Sequence, residues 1–272
     1  MVKFPIDRSD RKEIGKTGEF VSAIGLGTWA IRDYSRALET FVYAIEHGID
    51  NIDTAEMYDN GKAEEMVGEV IRRVGRDKVF VTTKLLPEHV VSKDAVIKAT
   101  KACLGRLDVS EVDLLLIHWP NPSLTISEQV RNLEEAFNRG LTRYIGVSNF
   151  EISELKEAIS STRKAEIVVD QVRYSIVHRD IEDHLLPFAI EEKITIQAYS
   201  PLERGRVFRH RKLSKIAGKV GKTVVQVALN YIISKPRTIA LVKTENIEHL
   251  KEIIGALGWR LPPKVLEELE NS

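Results

Sequence analysis

The chain has almost no cysteine, no excess of either charge and no long apolar run. Its one cysteine, Cys103, cannot form an internal disulfide bond, which favours a cytoplasmic setting. Basic and acidic residues number 40 each, so neither nucleic acid nor an anionic membrane is an expected partner. No run is long enough to cross a bilayer, and the N-terminus lacks the apolar core of a signal peptide.

What the chain does contain is enough apolar residues for a large core. Of its 272 residues, 43% are hydrophobic, which suits one large domain or two small ones. Neither a linker nor a break in composition interrupts the chain. We therefore expect one domain spanning residues 1–272.

Short runs rich in Val and Ile alternate with amphipathic patterns, as is typical of buried parallel strands joined by helices. The runs predict strands at Ser22–Gly27, Ile49–Asp53, Val79–Lys84, Val112–His118, Tyr144–Ser148, Ile167–Gln171, Ile194–Tyr199 and Ile239–Lys243. The patterns predict helices at Tyr34–His47, Ala63–Val74, Lys93–Leu107, Ile126–Arg139, Ile152–Ser160, Ile181–Glu192, Val224–Ser234 and Ile247–Leu257. This alternation predicts a (β/α)8 TIM barrel, with a doubly wound sheet as the main alternative.

Signals at the ends of the elements add detail. We expect Gly15–Phe20 to form a hairpin turn that closes the bottom of the barrel, and Lys264–Glu270 to form an extra C-terminal helix. Four residues are candidate N-caps of helices, namely Ser92, Ser127, Ser153 and Thr223.

Four polar residues, Asp53, Tyr58, Lys84 and His118, sit at or just past the ends of apolar runs. In a barrel of alternating strands and helices such positions converge on one face, where chemistry is done. A carboxylate, a phenol, an ammonium and an imidazole gathered there make a proton-delivery device. Taken singly, each residue also has a structural interpretation, such as a rim ion pair, a half-buried histidine or a loop aromatic.

Two short motifs point elsewhere. Gly25–Ala30 is similar to a dinucleotide-binding glycine loop, but Trp29 and the residues after it separate this loop from the next helix. Tyr58 and Lys62 match Tyr-x-x-x-Lys, a pair that must lie one helical turn apart. The turn signal Asp59-Asn60-Gly61 lies between them, so Lys84 is the better partner for Tyr58.

Seven motifs occur in one order along the chain. They are Gly27-Thr28-Trp29, Asp53-Thr54-Ala55 followed by Tyr58, Thr83-Lys84, Leu116-Ile117-His118-Trp119-Pro120, Gly146-Val147-Ser148-Asn149-Phe150, Asp170-Gln171 and Ala198-Tyr199-Ser200-Pro201-Leu202. In these motifs the chain resembles the aldo-keto reductases over nearly its whole length. The resemblance implies a (β/α)8 catalytic domain that reduces small aldehydes, ketones or aldoses with NADP(H), and with NAD(H) as a further usable cofactor.

Hydride addition to a carbonyl builds negative charge on the oxygen, so an acid must supply a proton there. We expect Tyr58 to be that acid and the Lys84 ammonium to lower its pKa from about 10. Asp53 would keep Lys84 charged, and His118 would orient the carbonyl oxygen.

The resemblance also implies a cofactor site. Ser148, Asn149 and Gln171 would bind the nicotinamide carboxamide, Tyr199 would stack on the ring, and Ser200, Leu202 and Arg204 would follow the pyrophosphate. Gly27, Thr28, Trp29 and Asp53 belong to the same expected site, as do Lys243, Thr244, His249 and Glu252 around the adenosine.

Lys243 and Thr244 match the family residues that meet the 2′-phosphate, but His249 stands where the family usually has arginine. Arginine clamps a phosphate permanently, whereas histidine is only partly charged near neutrality. We predict that NADPH is preferred over NADH. The alternative for Lys243–Glu252 is a solvated, charged helix start, an interpretation that suits Glu245 and Glu248.

The expected substrate wall is formed by Trp29, Met57, Tyr58, His118 and Trp119, which suits apolar or sugar-like carbonyl compounds. The segment after Pro120 is short and the chain stops soon after Glu270, so we expect an open pocket and broad substrate tolerance. No metal site is expected from the histidine spacing. The expected assembly is a monomer or weak oligomer.

Two other functions stay open at this point. One is a nucleotide-binding regulatory or redox-sensing subunit with little turnover. The other is an aldolase that uses Lys84 to form a Schiff base.

Overall fold

Eight parallel strands close into a barrel in the computed structural model, which describes residues 2–271. The strands of the chain are β1 Arg11–Glu13, β2 Phe20–Ser22, β3 Ile24–Gly27, β4 Asn51–Asp53, β5 Phe80–Leu85, β6 Val112–Ile117, β7 Thr142–Ser148, β8 Ile167–Arg173, β9 Thr195–Tyr199 and β10 Thr238–Val242. Strands β3 to β10 form the barrel in chain order, and β10 pairs with β3 to close it.

Helices follow the strands and form the outer layer. They are α1 Tyr34–Glu46, α2 Lys62–Val74, α3 Lys93–Leu107, α4 Ile126–Asn138, α5 Ile152–Ser161, α6 Leu185–Glu192, α7 Arg211–Val220, α8 Val224–Ile233, α9 Ile247–Ile254 and α10 Pro263–Glu270. The predicted (β/α)8 barrel and C-terminal helix are confirmed. Helix α7 was not predicted, and α6 begins at Leu185 rather than Ile181 because a separate 3₁₀ turn, Asp180–Glu182, precedes it.

The N-terminal hairpin covers the amino end of the barrel, as predicted. Strands β1 and β2 pair antiparallel, and the turn between them contains Gly15 at a φ of 55°. The Gly15 N–H donates to the Thr195 hydroxyl at the start of β9 at 2.9 Å. A side chain at Gly15 would collide with Val168, so the turn fits closely under the barrel.

Two of the four expected N-caps are correct, since Ser92 and Thr223 accept from the first turns of α3 and α8. Helices α4 and α5 instead begin after Thr125 and Glu151, two residues before the expected Ser127 and Ser153. In both cases a glutamate three residues later reaches back to the cap N–H. This reciprocal capping box decides the register.

The barrel interior changes character along its axis. At the amino end it is filled by apolar side chains from the strands and the hairpin, among them Ile14, Phe80, Leu114 and Val168. At the carboxyl end it carries buried polar groups such as Asp53, Lys84, Gln171 and Gln197. Among residues 2–271, no helix is long and apolar enough to cross a membrane.

Candidate active site

Asp53, Tyr58, Lys84 and His118 meet at the carboxyl end of the barrel. Asp53 ends β4, Lys84 lies in β5, and His118 directly follows β6. The Lys84 ammonium lies 2.7 and 2.8 Å from the two Asp53 carboxylate oxygens and donates to the Thr54 carbonyl at 2.8 Å. It also lies 3.1 Å from the Tyr58 hydroxyl. One buried cation therefore joins the carboxylate to the phenol.

Tyr58 is brought there by a tight 3₁₀ turn, Tyr58–Gly61, after β4. Asp59 and Asn60 within it adopt left-handed backbone angles, with φ of 48° and 53°. The Tyr34 hydroxyl donates to the Asp59 carboxylate at 3.0 Å and ties the turn to α1. Lys62 is turned away, with its ammonium 4.5 Å from the centre of the Tyr34 ring. As the turn signal indicated, Lys62 is not the partner of Tyr58.

Burial dominates the charges of this group. It raises the pKa of the Tyr58 phenol, and the Lys84 ammonium lowers it without reversing the net rise. The expectation of a lowered Tyr58 pKa is wrong in sign, because desolvation penalises the phenolate more than one ammonium favours it. Burial lowers the pKa of Lys84, but the interactions with Asp53 and Tyr58 outweigh it and leave the pKa raised. Lys84 therefore stays protonated.

His118 is a neutral imidazole. Burial, and then the nearby Lys84 charge, lower its pKa from 6.5 to about 3. No atom within residues 2–271 hydrogen-bonds its buried Nδ1. Its ring stands edge-on to Tyr58, with the ring centres 5.6 Å apart. Near neutral pH the ring carries one N–H and one acceptor nitrogen, which suits hydrogen bonding to a polar substrate atom.

A second polar cluster lies beside the first. The Gln171 amide donates to Asp53 at 2.8 Å and to Gln197 at 2.9 Å, so Gln171 offers a ligand its carbonyl oxygen. The Ser148 hydroxyl donates to the backbone carbonyl of Gln171, and the Tyr199 hydroxyl donates to the Asn149 side-chain oxygen, both at 2.8 Å. These contacts fix the orientation of the side chains expected around a nicotinamide.

A cavity of about 890 Å³ opens from this floor and runs between the loops. Its wall contains Asp53, Tyr58 and His118 together with Gly27, Trp29, Met57, Trp119, Ser148, Asn149, Gln171, Tyr199, Ser200, Leu202, Arg204, Lys243, Thr244 and His249. Lys84 lies fully buried behind Asp53 and Tyr58. The volume of the cavity is near the upper end of the range for ligand cavities, which is roughly 300–1,000 Å³.

Two expected cofactor residues lie outside the cavity wall. The Thr28 hydroxyl donates to the Asp53 backbone carbonyl at 3.1 Å, so Thr28 supports Asp53 from behind. Glu252, half-buried on α9, uses its backbone carbonyl to accept from Gln226. Their contacts with a cofactor stay predictions.

The sequence did not single out several residues of the wall, notably Arg32, Arg36 and Asn246. Glu245 was expected only as part of a solvated helix start, and that interpretation is wrong for it, because its side chain is 16% exposed and lines the cavity. Its carboxylate accepts from the backbone N–H groups of Arg32 and Asp33, each at 3.0 Å, and pairs with Lys243. Only tertiary structure brings Arg32 and Asp33 to Glu245, since they precede it by more than 200 residues.

The mouth of the cavity is aromatic and partly exposed, with Trp29, Met57 and Trp119 around it. The Arg204 guanidinium lies 4.7 Å from the centre of the Trp29 ring and reaches across the groove. Within residues 2–271, no group of three or more His, Cys, Asp or Glu side chains is arranged to hold a metal ion.

The fold brings four ionisable side chains, Asp53, Tyr58, Lys84 and His118, together at the carboxyl end of a (β/α)8 barrel. The family model described as the aldo/keto reductase family matches residues 23–272. Methylglyoxal reductase YeaE of Escherichia coli is 32% identical over 259 residues, covering 92% of this chain and 90% of that protein.

Solved structures agree. The thermostable aldo-keto reductase Tm1743, crystallised with the inhibitor epalrestat, superposes with a TM-score of 0.90 and is 40% identical. The match covers 96% of this chain and 98% of that chain. A Klebsiella pneumoniae aldo/keto reductase with NADP and acetate has a TM-score of 0.90 at 32% identity, covering 97% and 95%. The chain belongs to the aldo/keto reductase family, and it is an oxidoreductase of that type.

Proposed function

We propose that this protein is an NADP-dependent reductase of small aldehydes, ketones or aldoses, with Tyr58 as the general acid. The observation that carries the proposal is the single Lys84 ammonium held between the Asp53 carboxylate and the Tyr58 hydroxyl at the floor of the cavity. One catalytic domain spanning residues 1–272 is part of the proposal.

A bound NADPH, held by the residues of the cavity wall, would supply a hydride to the carbonyl carbon. As negative charge builds on the carbonyl oxygen, the Tyr58 hydroxyl gives it a proton, and an alcohol results. The Lys84 ammonium, 3.1 Å away, stabilises the phenolate that this transfer leaves behind. The raised pKa of Tyr58 keeps the phenol protonated, and therefore ready to donate, at neutral pH.

His118 has a positioning role at the substrate oxygen. A histidine with a pKa of about 3 neither gives nor takes a proton near neutrality, so it contributes a hydrogen bond rather than a charge. This separates the functions of the two rings, because Tyr58 moves the proton and His118 holds the carbonyl.

The cavity fits a dinucleotide cofactor. Its floor presents the Ser148, Asn149 and Gln171 side chains for an amide, and Tyr199 stands beside them with its hydroxyl tied to Asn149. Ser200, Leu202 and Arg204 line the groove that leads to Lys243. NADPH is the preferred cofactor in this proposal, and NADH is usable.

The exposed mouth supports broad tolerance. Trp29, Met57 and Trp119 offer apolar surface at an open entrance, so small carbonyl compounds of varied shape can reach Tyr58. One relative is named as a methylglyoxal reductase, so small dicarbonyl compounds belong in any substrate panel.

The direct test follows NADPH oxidation by the purified protein, in the near ultraviolet, across aldehydes, ketones, dicarbonyl compounds and sugars. The Tyr58→Phe variant should lose turnover by about 10³-fold while still binding NADPH, because a general acid contributes roughly 10²–10⁴-fold. Tyr43→Phe is the matched control, since Tyr43 stacks on His47 at the surface of α1 and lies outside the cavity wall. Near-normal turnover in Tyr58→Phe would remove Tyr58 from its role.

The same assay separates the alternatives. Tight nucleotide binding with no reduction of any carbonyl would favour a regulatory or redox-sensing subunit. A Schiff base at Lys84 is disfavoured because its raised pKa and its pairing with Asp53 keep the amine protonated. A lysine adduct trapped by borohydride in the presence of substrate would reverse that judgement.

A further inference from the structure

The part of the cavity wall near the start of α1 and the start of α9 holds charges that the proposed chemistry does not use. Lys243 follows β10, and His249 lies on α9. Arg32 and Arg36 reach the same cavity from the start of α1, which packs against α9. This part of the cavity wall therefore contains four basic side chains and one acidic side chain, Glu245.

Lys243 is not a free cation. Its ammonium pairs with the Glu245 carboxylate, which is itself held by the backbone N–H groups of Arg32 and Asp33. Burial raises the pKa of Glu245, but the hydrogen bonds from Lys243 and these N–H groups outweigh it and leave the pKa lowered. Glu245 is therefore charged and fixed, and it compensates the lysine that was expected to hold a phosphate.

Unlike Lys243, Arg32 and Arg36 have side chains that are unpaired among residues 2–271. Both side chains are exposed at the cavity wall, and neither guanidinium forms an ion pair or hydrogen bond with any other residue in the described part of the chain. Guanidinium groups bind phosphate through paired N–H donors and stay charged at every physiological pH. The Arg32 backbone N–H donates to Glu245, so the backbone of Arg32 is held beside the Lys243–Glu245 pair.

We propose that Arg32 and Arg36 bind the 2′-phosphate of NADPH in place of the arginine that His249 replaces, and that Glu245 opposes them. A carboxylate beside the adenosine ribose favours a free 2′-hydroxyl, whereas arginine favours a 2′-phosphate. The balance of these three side chains would then set the preference between NADPH and NADH. The inference rests on the proposed function, because it assumes that the dinucleotide lies in this cavity.

The test measures dissociation constants of NADPH and NADH by fluorescence titration, with Arg32→Gln, Arg36→Gln, the double variant and Glu245→Gln. Each arginine variant should bind NADPH about tenfold more weakly, since a charged hydrogen bond contributes about a factor of ten or more. NADH binding should change by less than about twofold on the same basis. Glu245→Gln should tighten NADPH and weaken NADH.

Arg8→Gln is the charge-matched control. Arg8 is exposed, precedes the hairpin at the amino end of the barrel and lies outside the cavity wall. It should leave both dissociation constants unchanged. Circular dichroism of each variant checks that it is folded. In the unaltered protein, adenosine 2′,5′-bisphosphate should displace NADPH better than adenosine 5′-monophosphate, and the double variant should lose that difference.

The inference is overturned if the arginine variants weaken both cofactors equally or neither of them, or if the two adenosine phosphates compete equally well in the unaltered protein. A protein that binds neither NADPH nor NADH would instead contradict the proposed function. The two failures are therefore distinct.

Discussion

Ion pairs occur at both ends of the barrel, but they serve different purposes at the two ends. At the amino end two partly exposed ion pairs, Arg11–Asp50 and Arg237–Glu13, fasten the hairpin to the barrel. At the carboxyl end the Lys84–Asp53 pair is almost fully buried. A solvated pair contributes little to stability, whereas a buried pair fixes protonation states. Burial is therefore what lets the Lys84–Asp53 pair set the protonation states of its neighbours.

The backbone differs in the same way. Seven non-glycine residues with positive φ lie in the loops at the carboxyl end, namely Ala30, Asp59, Asn60, Asn149, Ser200, Glu203 and Arg204. At the other end, Asp108 and Lys193 occupy the ordinary C-cap position of a helix, and Arg237 directly precedes β10. Unfavourable backbone angles therefore concentrate where the loops form the cavity.

The largest effect is expected from removing the buried cation at the carboxyl end of the barrel. Lys84→Met leaves Asp53 buried without its cation, so we expect the free energy of unfolding to fall by about 3 kcal/mol. Turnover should fall by about 10³-fold as the Tyr58 phenolate loses its stabilising charge. Urea unfolding and NADPH oxidation measure the two losses.

Arg11→Met is the counterpart at the amino end. It removes a pair whose arginine side chain is 50% exposed, so it should cost less than about 1 kcal/mol and leave turnover unchanged. Equal losses of stability in the two variants would show that burial does not distinguish the two ends.

A second prediction concerns acid stability. The pKa of His118 is about 3 in the folded protein against 6.5 in the unfolded chain, so protonation favours the unfolded chain between these values. Stability should therefore fall as the pH drops from about 6.5 to about 3, by up to about 1.4 kcal/mol per pH unit from this group alone. His118→Gln should remove that part of the slope in urea titrations between pH 6 and pH 4. The same slope in both proteins would contradict the assignment.

A last comparison concerns the stability of variants at two glycines with positive φ, Gly15 and Gly205. Gly15→Ala strains the hairpin turn and places the new methyl group 2.7 Å from the Val168 Cβ, so it should cost about 1–3 kcal/mol without changing cofactor affinity. Gly205→Ala has φ strain but no closer contact than 3.7 Å, so its stability loss should be the smaller one. Its larger effect should be on NADPH affinity, since Gly205 lines the cavity. A greater stability loss in Gly205→Ala would reverse this ranking.

Much of this architecture could be predicted from the sequence, because it depends on local patterns. Each barrel strand is a short apolar run, and parallel strands place their carboxyl ends together. That rule alone brings Asp53, Lys84 and His118 to one face. The turn signal after Tyr58 also correctly excluded Lys62 as its partner.

What the sequence could not supply depends on distant contacts. The net direction of the Tyr58 pKa depends on how completely the barrel excludes water, which no local pattern states. The role of Glu245 depends on backbone N–H groups near the other end of the chain. Helix α7 has a clear polar and apolar face, but it follows an irregular loop that hides its start.

The barrel closes where β10 pairs with β3, and the cavity straddles that seam. One wall comes from residues 27–36 and the other from residues 241–249, with Glu245 joining them. The earliest and latest barrel units to leave the ribosome therefore share one binding surface, which is complete only when the whole chain has folded. A dinucleotide bound there would contact both segments and stabilise them together. Its presence should therefore slow proteolysis of the first and last barrel units to a similar extent.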